Sequence, residues 1–275
     1  MSSDQLSGIN SNFPETEQMP LLFLGHGSPM NAIEENEFVR GWRVTGEKIP
    51  KPAAVLCISA HWETNGTLVT AMEKPRTIHD FGGFPHALFE VQYPAPGNPD
   101  LAKSLSDGVK NTEVKEDLLW GLDHGCWSVV KHLYPNADVP VLQLSLDYRK
   151  SPRDHYELAK ELSSLRKRGV LILGSGNLIH NLRLIEWRRL SEPDYTFDWA
   201  ESAKEKLQNL IKNDDHNSLI NYDSLGTDVK LSIPTPEHYL PSLYILALKG
   251  ESESISFFND KTVGGSVAMT SFKIE

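Results

Sequence analysis

Cysteine is scarce, with two residues in 275, Cys57 and Cys126, in separate segments. No disulfide framework can be built from them, and the usage suits a reducing cytoplasm. Long apolar runs are missing as well, and none approaches the roughly 20 residues of a membrane span. Residues 1–18 are polar and carry several acidic side chains, without the apolar centre of a secretory signal. They read as a flexible leader ahead of one domain over residues 19–275. Positive charge is in short supply, 27 Lys and Arg against 37 Asp and Glu for a net charge of -10, which disfavours nucleic acid as a partner. Several chemical signatures are absent too. There is no G-x-S-x-G elbow and no P-loop, and Gly174-Ser-Gly176 is too short for a dinucleotide fingerprint. Neither H-E-x-x-H nor C-x-x-C occurs. Cys126 beside His124 makes a poor nucleophile pair, because residues two apart do not face each other within one regular element.

What is present is an ordinary globular composition, 39% hydrophobic and 23% charged, on a chain long enough for a sizeable core. Short apolar runs at 21–24, 53–59, 68–72, 139–146 and 170–173 have the length of buried strands. Helical patterns separate them. One covers 33–44, one follows Asn98-Pro99, and one covers 128–134. Another opens at Ser151-Pro152 and closes at Gly169, one spans 194–212, and the last runs from Thr235-Pro236 to about Lys249. Residues 254–258 and 267–274 read as a final antiparallel pair. Strands alternating with helices predict an α/β fold, a single domain with a central, mainly parallel sheet flanked by helices.

Ten histidines are the unusual feature. His26 stands at the end of the strand in Leu21-Leu-Phe-Leu-Gly-His-Gly-Ser-Pro29, where glycines and proline force a turn. His61 and His180 also follow apolar strands, and His238 falls in the first turn of the last helix. Ligands bind at the carboxyl ends of strands in open α/β sheets, so these four imidazoles can converge. Each alone is equally well a loop histidine bonded to backbone, but their recurrence favours a metal site. Imidazole clusters suit Zn, Fe(II) or Cu rather than Mg or Ca. His124 lies in a glycine-punctuated loop, His132 packs on a helix, and His86 reads as a loop histidine. His155 and His216 fall in polar stretches where solvation is expected. The loop with Phe81, Phe84 and Phe89 folds over something flat and apolar or forms a satellite cluster.

Six motifs carry a resemblance to a known family: Gly25-His-Gly-Ser-Pro-Met30, Ser59-Ala-His-Trp62, Ile78-His-Asp-Phe-Gly-Gly-Phe-Pro85, Asp123-His-Gly125, Gly176-Asn-Leu-Ile-His-Asn-Leu-Arg183 and Thr235-Pro-Glu-His-Tyr-Leu-Pro241. Together, from about Pro20 to the C-terminus, they resemble the DOPA 4,5-extradiol dioxygenase family. That family belongs to the class III ring-opening dioxygenases, with the catalytic subunit of protocatechuate 4,5-dioxygenase. The resemblance implies one divalent non-haem metal held by His26, His61 and His238. His180 would be a fourth ligand or, as assigned here, the catalytic base. His124 would be a second acid/base or a donor to bound oxygen, and His79 would line the substrate pocket. Distant relatives bind Fe(II) with two histidines and a glutamate. Glu237-His238 therefore offers two third ligands, of which His238 is favoured, with Glu237 supporting it.

The expected activity is extradiol cleavage of a DOPA-like catechol by O2, by a cytoplasmic Fe(II) oxidoreductase. An all-histidine site also accepts zinc, which has no redox chemistry and would leave the dioxygenase inactive. No membrane partner is expected, and a homo-oligomer stays open. A zinc-dependent hydrolase on the same scaffold and a non-enzymatic member of the superfamily are the alternatives.

Overall fold

The computed structural model describes residues 14–192 and 195–275. The first thirteen residues of the expected leader lie outside the described residues. Among the described residues, ten strands and nine α-helices follow in order. They begin with β1 (Leu21–Gly25), α1 (Glu37–Glu47), β2 (Ala54–Thr64), β3 (Thr67–Thr70) and α2 (His86–Phe89). Next come α3 (Pro99–Gly108), β4 (Val114–Asp117), α4 (His124–Leu133), β5 (Val141–Asp147), α5 (Pro152–Lys160) and β6 (Val170–Gly176). The last part holds α6 (Asp198–Lys212), α7 (His216–Ile220), α8 (Thr227–Ser232), α9 (Leu240–Ala247), β7 (Ile255–Phe258), β8 (Thr262–Val263), β9 (Val267–Ala268) and β10 (Ser271–Ile274).

Eight strands form one sheet in the order β4-β3-β5-β2-β6-β1-β10-β7. Its centre, β5-β2-β6-β1, is parallel throughout, while β10 and β7 add antiparallel strands at one edge. Successive side chains of a strand point to opposite faces, and here both faces are apolar. Leu21, Phe23, Leu56, Ile58 and Ile172 join one core with α3, α5, α6 and α9. Leu22, Leu24, Val55, Cys57 and Leu173 join another with α1 and α4. Burial on both sides is why these strands read as unbroken apolar runs rather than alternating ones.

Helix caps follow the sequence closely. Asn98 Oδ1 accepts from Leu101 N, and Ser151 with Asp154 forms a reciprocal capping box. Other elements shift. The first helix starts at Glu37 because Asn36 caps it. The last begins at Leu240, so His238 sits in the preceding turn rather than in the helix. His124 is not in a loop but is the first residue of α4, capped by Asp123. The helix expected from residue 194 starts at Asp198. Ile255–Phe258 pairs with Ser271–Ile274 alone, while Val267–Ala268 turns back on Thr262–Val263. β4 was not foreseen: it is an edge strand with one buried residue, Val114, and no apolar pattern.

Two histidines expected in solvent are packed instead. His216 Nδ1 meets Tyr156 Oη at 2.6 Å. His155 is fully buried, with Nδ1 2.9 Å from Tyr244 Oη. Burial and the nearby Lys150 charge pull His155 down from 6.5 to about 4. The native state therefore holds it neutral while the unfolded chain takes up a proton. Its stabilisation is complete above pH 6.5 and is lost as pH falls to about 4, worth about 3 kcal/mol. Urea titrations should show the wild-type advantage over His155→Gln shrinking by about that amount between pH 6.5 and pH 4. A constant difference would contradict the assignment.

Candidate metal centre

Neighbouring strands lie about 4.8 Å apart, so side chains leaving the carboxyl ends of β2, β6 and β1 start within reach of one another. His26 directly follows β1. His61 lies inside β2, where the ladder to β5 is interrupted: Ile58 faces Leu144 but Glu63 faces Leu146, so β2 advances five residues while β5 advances two. Such a bulge re-aims side chains, and here it lifts His61 out of the sheet. His180 follows β6 through a short loop and bridges to Val267. His238 comes from the turn before α9, whose carbonyl accepts the Asn177 N–H at 2.9 Å. A Cβ on Gly176 would overlap that same His238 carbonyl, so glycine is required for the approach. Gly125 does the same for α4: a Cβ there would lie 2.5 Å from Ser59 Oγ and 2.8 Å from His61 Cδ2.

Five imidazoles meet as a result. The ring centroids of His26, His61 and His238 form a nearly equilateral triangle with sides of 5.0, 5.1 and 5.3 Å. His124 lies 3.8 Å from His61 and 5.8 Å from His26. His180 lies flat against His238, with centroids 3.5 Å apart and planes 9° off parallel. Nitrogens of His26, His61 and His124 fall within 4.8 Å of one another, as do nitrogens of His180 and His238 with a Glu237 oxygen.

Hydrogen bonds assign the tautomers. Ser175 Oγ donates to Gly125 O at 2.5 Å, so it can only accept from His26 Nδ1 at 3.0 Å, leaving a lone pair on His26 Nε2. Glu237 Oε1 accepts from His238 Nδ1 at 3.1 Å, which frees Nε2 there too. His61 Nδ1 lies 3.4 Å from Asp80 Oδ2. His124 Nδ1 lies 3.0 Å from the same oxygen, close enough for charge contact though off hydrogen-bond alignment. Burial, then the neighbouring imidazoles, holds His26 and His61 well below 6.5. The same causes bring His180 down to about 3. His238 is lowered by burial although Glu237 pulls it back. Burial pushes Glu237 up, yet its bonds to His238 and Thr235 prevail and bring it down to about 2. His26, His61, His180 and His238 are thus neutral at pH 7, the form that binds metal.

The fit to an ion can be tested on distances. His26 Nε2 and His61 Nε2 face each other at 3.1 Å. Two imidazole nitrogens about 2.0–2.1 Å from one ion are separated by about 2.9 Å at a right angle and about 3.4 Å at the tetrahedral angle. The observed spacing falls between the two. Ring centroids around the same ion would stand roughly 4.5–5.2 Å apart, close to the triangle seen. His26 and His61 fit a shared divalent metal by nitrogen spacing, and the ring triangle sets His238 beside them, while its own nitrogen groups with those of His180 and a Glu237 oxygen.

His79 stands one ring away: its Nε2 bonds Val91 O at 2.9 Å, and its ring touches Phe81, Phe89 and Trp127. Phe81 meets His124 edge-on at 5.6 Å, so the aromatic loop walls one side of the cluster. Reasoning from sequence missed Asp80, Ser175 and Asp123. Asp123 is buried, accepting from Ser59 Oγ and Gln143 Nε2 at 2.6 Å each. Asp80 and Asp123 lay inside quoted motifs, next to His79 and His124, and adjacency to a histidine was the available signal. Among the described residues no helix is long and apolar enough to cross a membrane.

Residues 20–267 match the family described as "Catalytic LigB subunit of aromatic ring-opening dioxygenase". The chain is 45% identical to an Escherichia coli K12 protein named 4,5-DOPA dioxygenase extradiol, over 94% of this chain and 95% of that one. It is 35% identical to a Beta vulgaris protein of the same name, over 97% and 98%. A crystal structure of an uncharacterized Escherichia coli K12 protein superposes with a TM-score of 0.80 at 39% identity, covering 94% of this chain and all of that one. The hydrolase and non-enzymatic alternatives fall away. The chain belongs to the family of catalytic LigB subunits of aromatic ring-opening dioxygenases and is an extradiol ring-opening dioxygenase, an oxidoreductase.

Proposed function

We propose that the enzyme opens the ring of a DOPA-like catechol beside its diol, using O2 and one Fe(II) ion held by Nε2 of His26, His61 and His238. The observation that carries this reading is the pair of inward nitrogens 3.1 Å apart within a triangle of neutral rings. Similar proteins from Escherichia coli and Beta vulgaris named for DOPA suggest the substrate class. When bound, Fe(II) supplies redox electrons and open positions for the diol and O2.

The protein's own groups do the rest. Glu237 orients His238 through Nδ1, its Oε1 accepting from both His238 and Thr235. His180 acts as the base, not a fourth ligand. Two rings stacked at 3.5 Å are closer than imidazoles sharing one ion normally stand, and a neutral ring at the cluster's edge can take a catechol hydroxyl proton on its free nitrogen. His124, with Nδ1 turned to Asp80, keeps Nε2 for a second proton transfer. Phe81 offers an apolar wall to the substrate ring, and His79 braces that wall from behind. Two free, buried cysteines fit a cytoplasmic enzyme.

Anaerobic loading with Fe(II), then O2 and L-DOPA, should give one O2 consumed per catechol and a yellow semialdehyde. Zinc-loaded enzyme should bind its metal and consume no O2. His61→Ala should lose bound metal. His180→Ala should keep metal by elemental analysis and lose about 10²–10⁴-fold in kcat. Full turnover by His180→Ala would contradict the base assignment.

A further inference from the structure

We infer that Asp80 is a positioning residue, whose single carboxylate oxygen sets the tautomer of a metal-side imidazole and an acid/base imidazole together. The inference rests on the ligand and base roles proposed above. Asp80 Oδ2 lies 3.0 Å from His124 Nδ1 and 3.4 Å from His61 Nδ1. Its other oxygen, Oδ1, accepts the backbone N–H of His124 at 2.9 Å and so anchors the first residue of α4. The two rings it serves are 3.8 Å apart, side by side.

An ionised carboxylate can only accept, and although neither contact is aligned as a hydrogen bond in this structure, its negative charge stands beside both Nδ1 atoms. Facing two Nδ1 atoms, it favours the proton on Nδ1 of both rings and an unprotonated Nε2 on both. For His61 that presents a lone pair toward His26 Nε2. For His124 it fixes which nitrogen is free to exchange a proton with substrate. Outer partners of this kind orient ligating histidines and raise their basicity.

Asp80 also sits between His79 and Phe81 on the aromatic loop. Phe81 packs edge-on against His124, while His79 holds the loop to Val91. Seating of the loop that walls the substrate and tautomer selection at the cluster therefore come from adjacent residues. An aromatic substrate that presses on Phe81 presses on the segment that aligns both imidazoles.

An amide in place of the carboxylate tests this. Asp80→Asn is nearly isosteric but can donate to Nδ1, which moves the proton to Nε2. Anaerobic Fe(II) titration should show 10–100-fold weaker binding by Asp80→Asn than by wild type. At saturating Fe(II), kcat for L-DOPA should fall at least 10²-fold with KM changed less than threefold. His124→Ala should lower kcat in the wild type yet add less than threefold in Asp80→Asn. Histidine ¹⁵N NMR of zinc-loaded wild type, which needs no variant to fold, should show His61 and His124 protonated on Nδ1 and not on Nε2. An Nε2–H tautomer on either ring overturns the inference, as does a folded Asp80→Asn with wild-type Fe(II) affinity and kcat. A wild-type enzyme that binds no Fe(II) overturns the reading of the site along with it. One that works while Asp80→Asn is unchanged removes only the positioning role.

Discussion

Two imidazole nitrogens, Nε2 of His26 and Nε2 of His61, facing each other across 3.1 Å are the constraint on which the rest of the site depends. Ser175 fixes the Nδ1 proton of His26, so His26 Nε2 presents a lone pair, and with Nδ1 of His61 protonated toward Asp80, as proposed above, the two lone pairs would repel. A divalent cation relieves that repulsion. Burial adds to the demand: His26 is 1% exposed. The cluster is organised for an ion, and the surrounding protein holds it in that arrangement.

The fold supplies this arrangement cheaply in sequence terms. Three neighbouring parallel strands end on one edge, so histidines far apart along the chain begin close in space. The bulge in β2 turns His61 inward, and two glycines let α4 and the turn before α9 approach the sheet closely enough to deliver His124 and His238. Ser175, Asp80 and Glu237 then lock ring orientation from behind. Selecting Fe(II) over zinc is not accomplished by this geometry alone, since an all-imidazole set accepts either.

Much of this was legible beforehand, and the divide follows the range of the interactions. Local signals held: the apolar runs marked the central strands, Asn98 and Ser151 marked helix starts, and strand-end histidines marked the edge where the imidazoles gather. Features decided by distant partners did not show. His155 looked solvated because its neighbours in sequence are polar, whereas Tyr244, far along the chain, buries it. The bulge that turns His61 has no sequence mark, and β4 owes its strand form to pairing with β3. Asp80 was visible only as one letter in a motif, since its meaning comes from two rings supplied by other elements.

The ligand set around the proposed Fe(II) ion is the most direct test. X-ray absorption at the iron edge of the anaerobically reconstituted enzyme should show one ion with three imidazole nitrogens at roughly 2.0–2.2 Å, with the outer-ring scattering typical of histidine. Two imidazoles with a carboxylate oxygen in the third place would contradict the account, by moving Glu237 into the role assigned to His238.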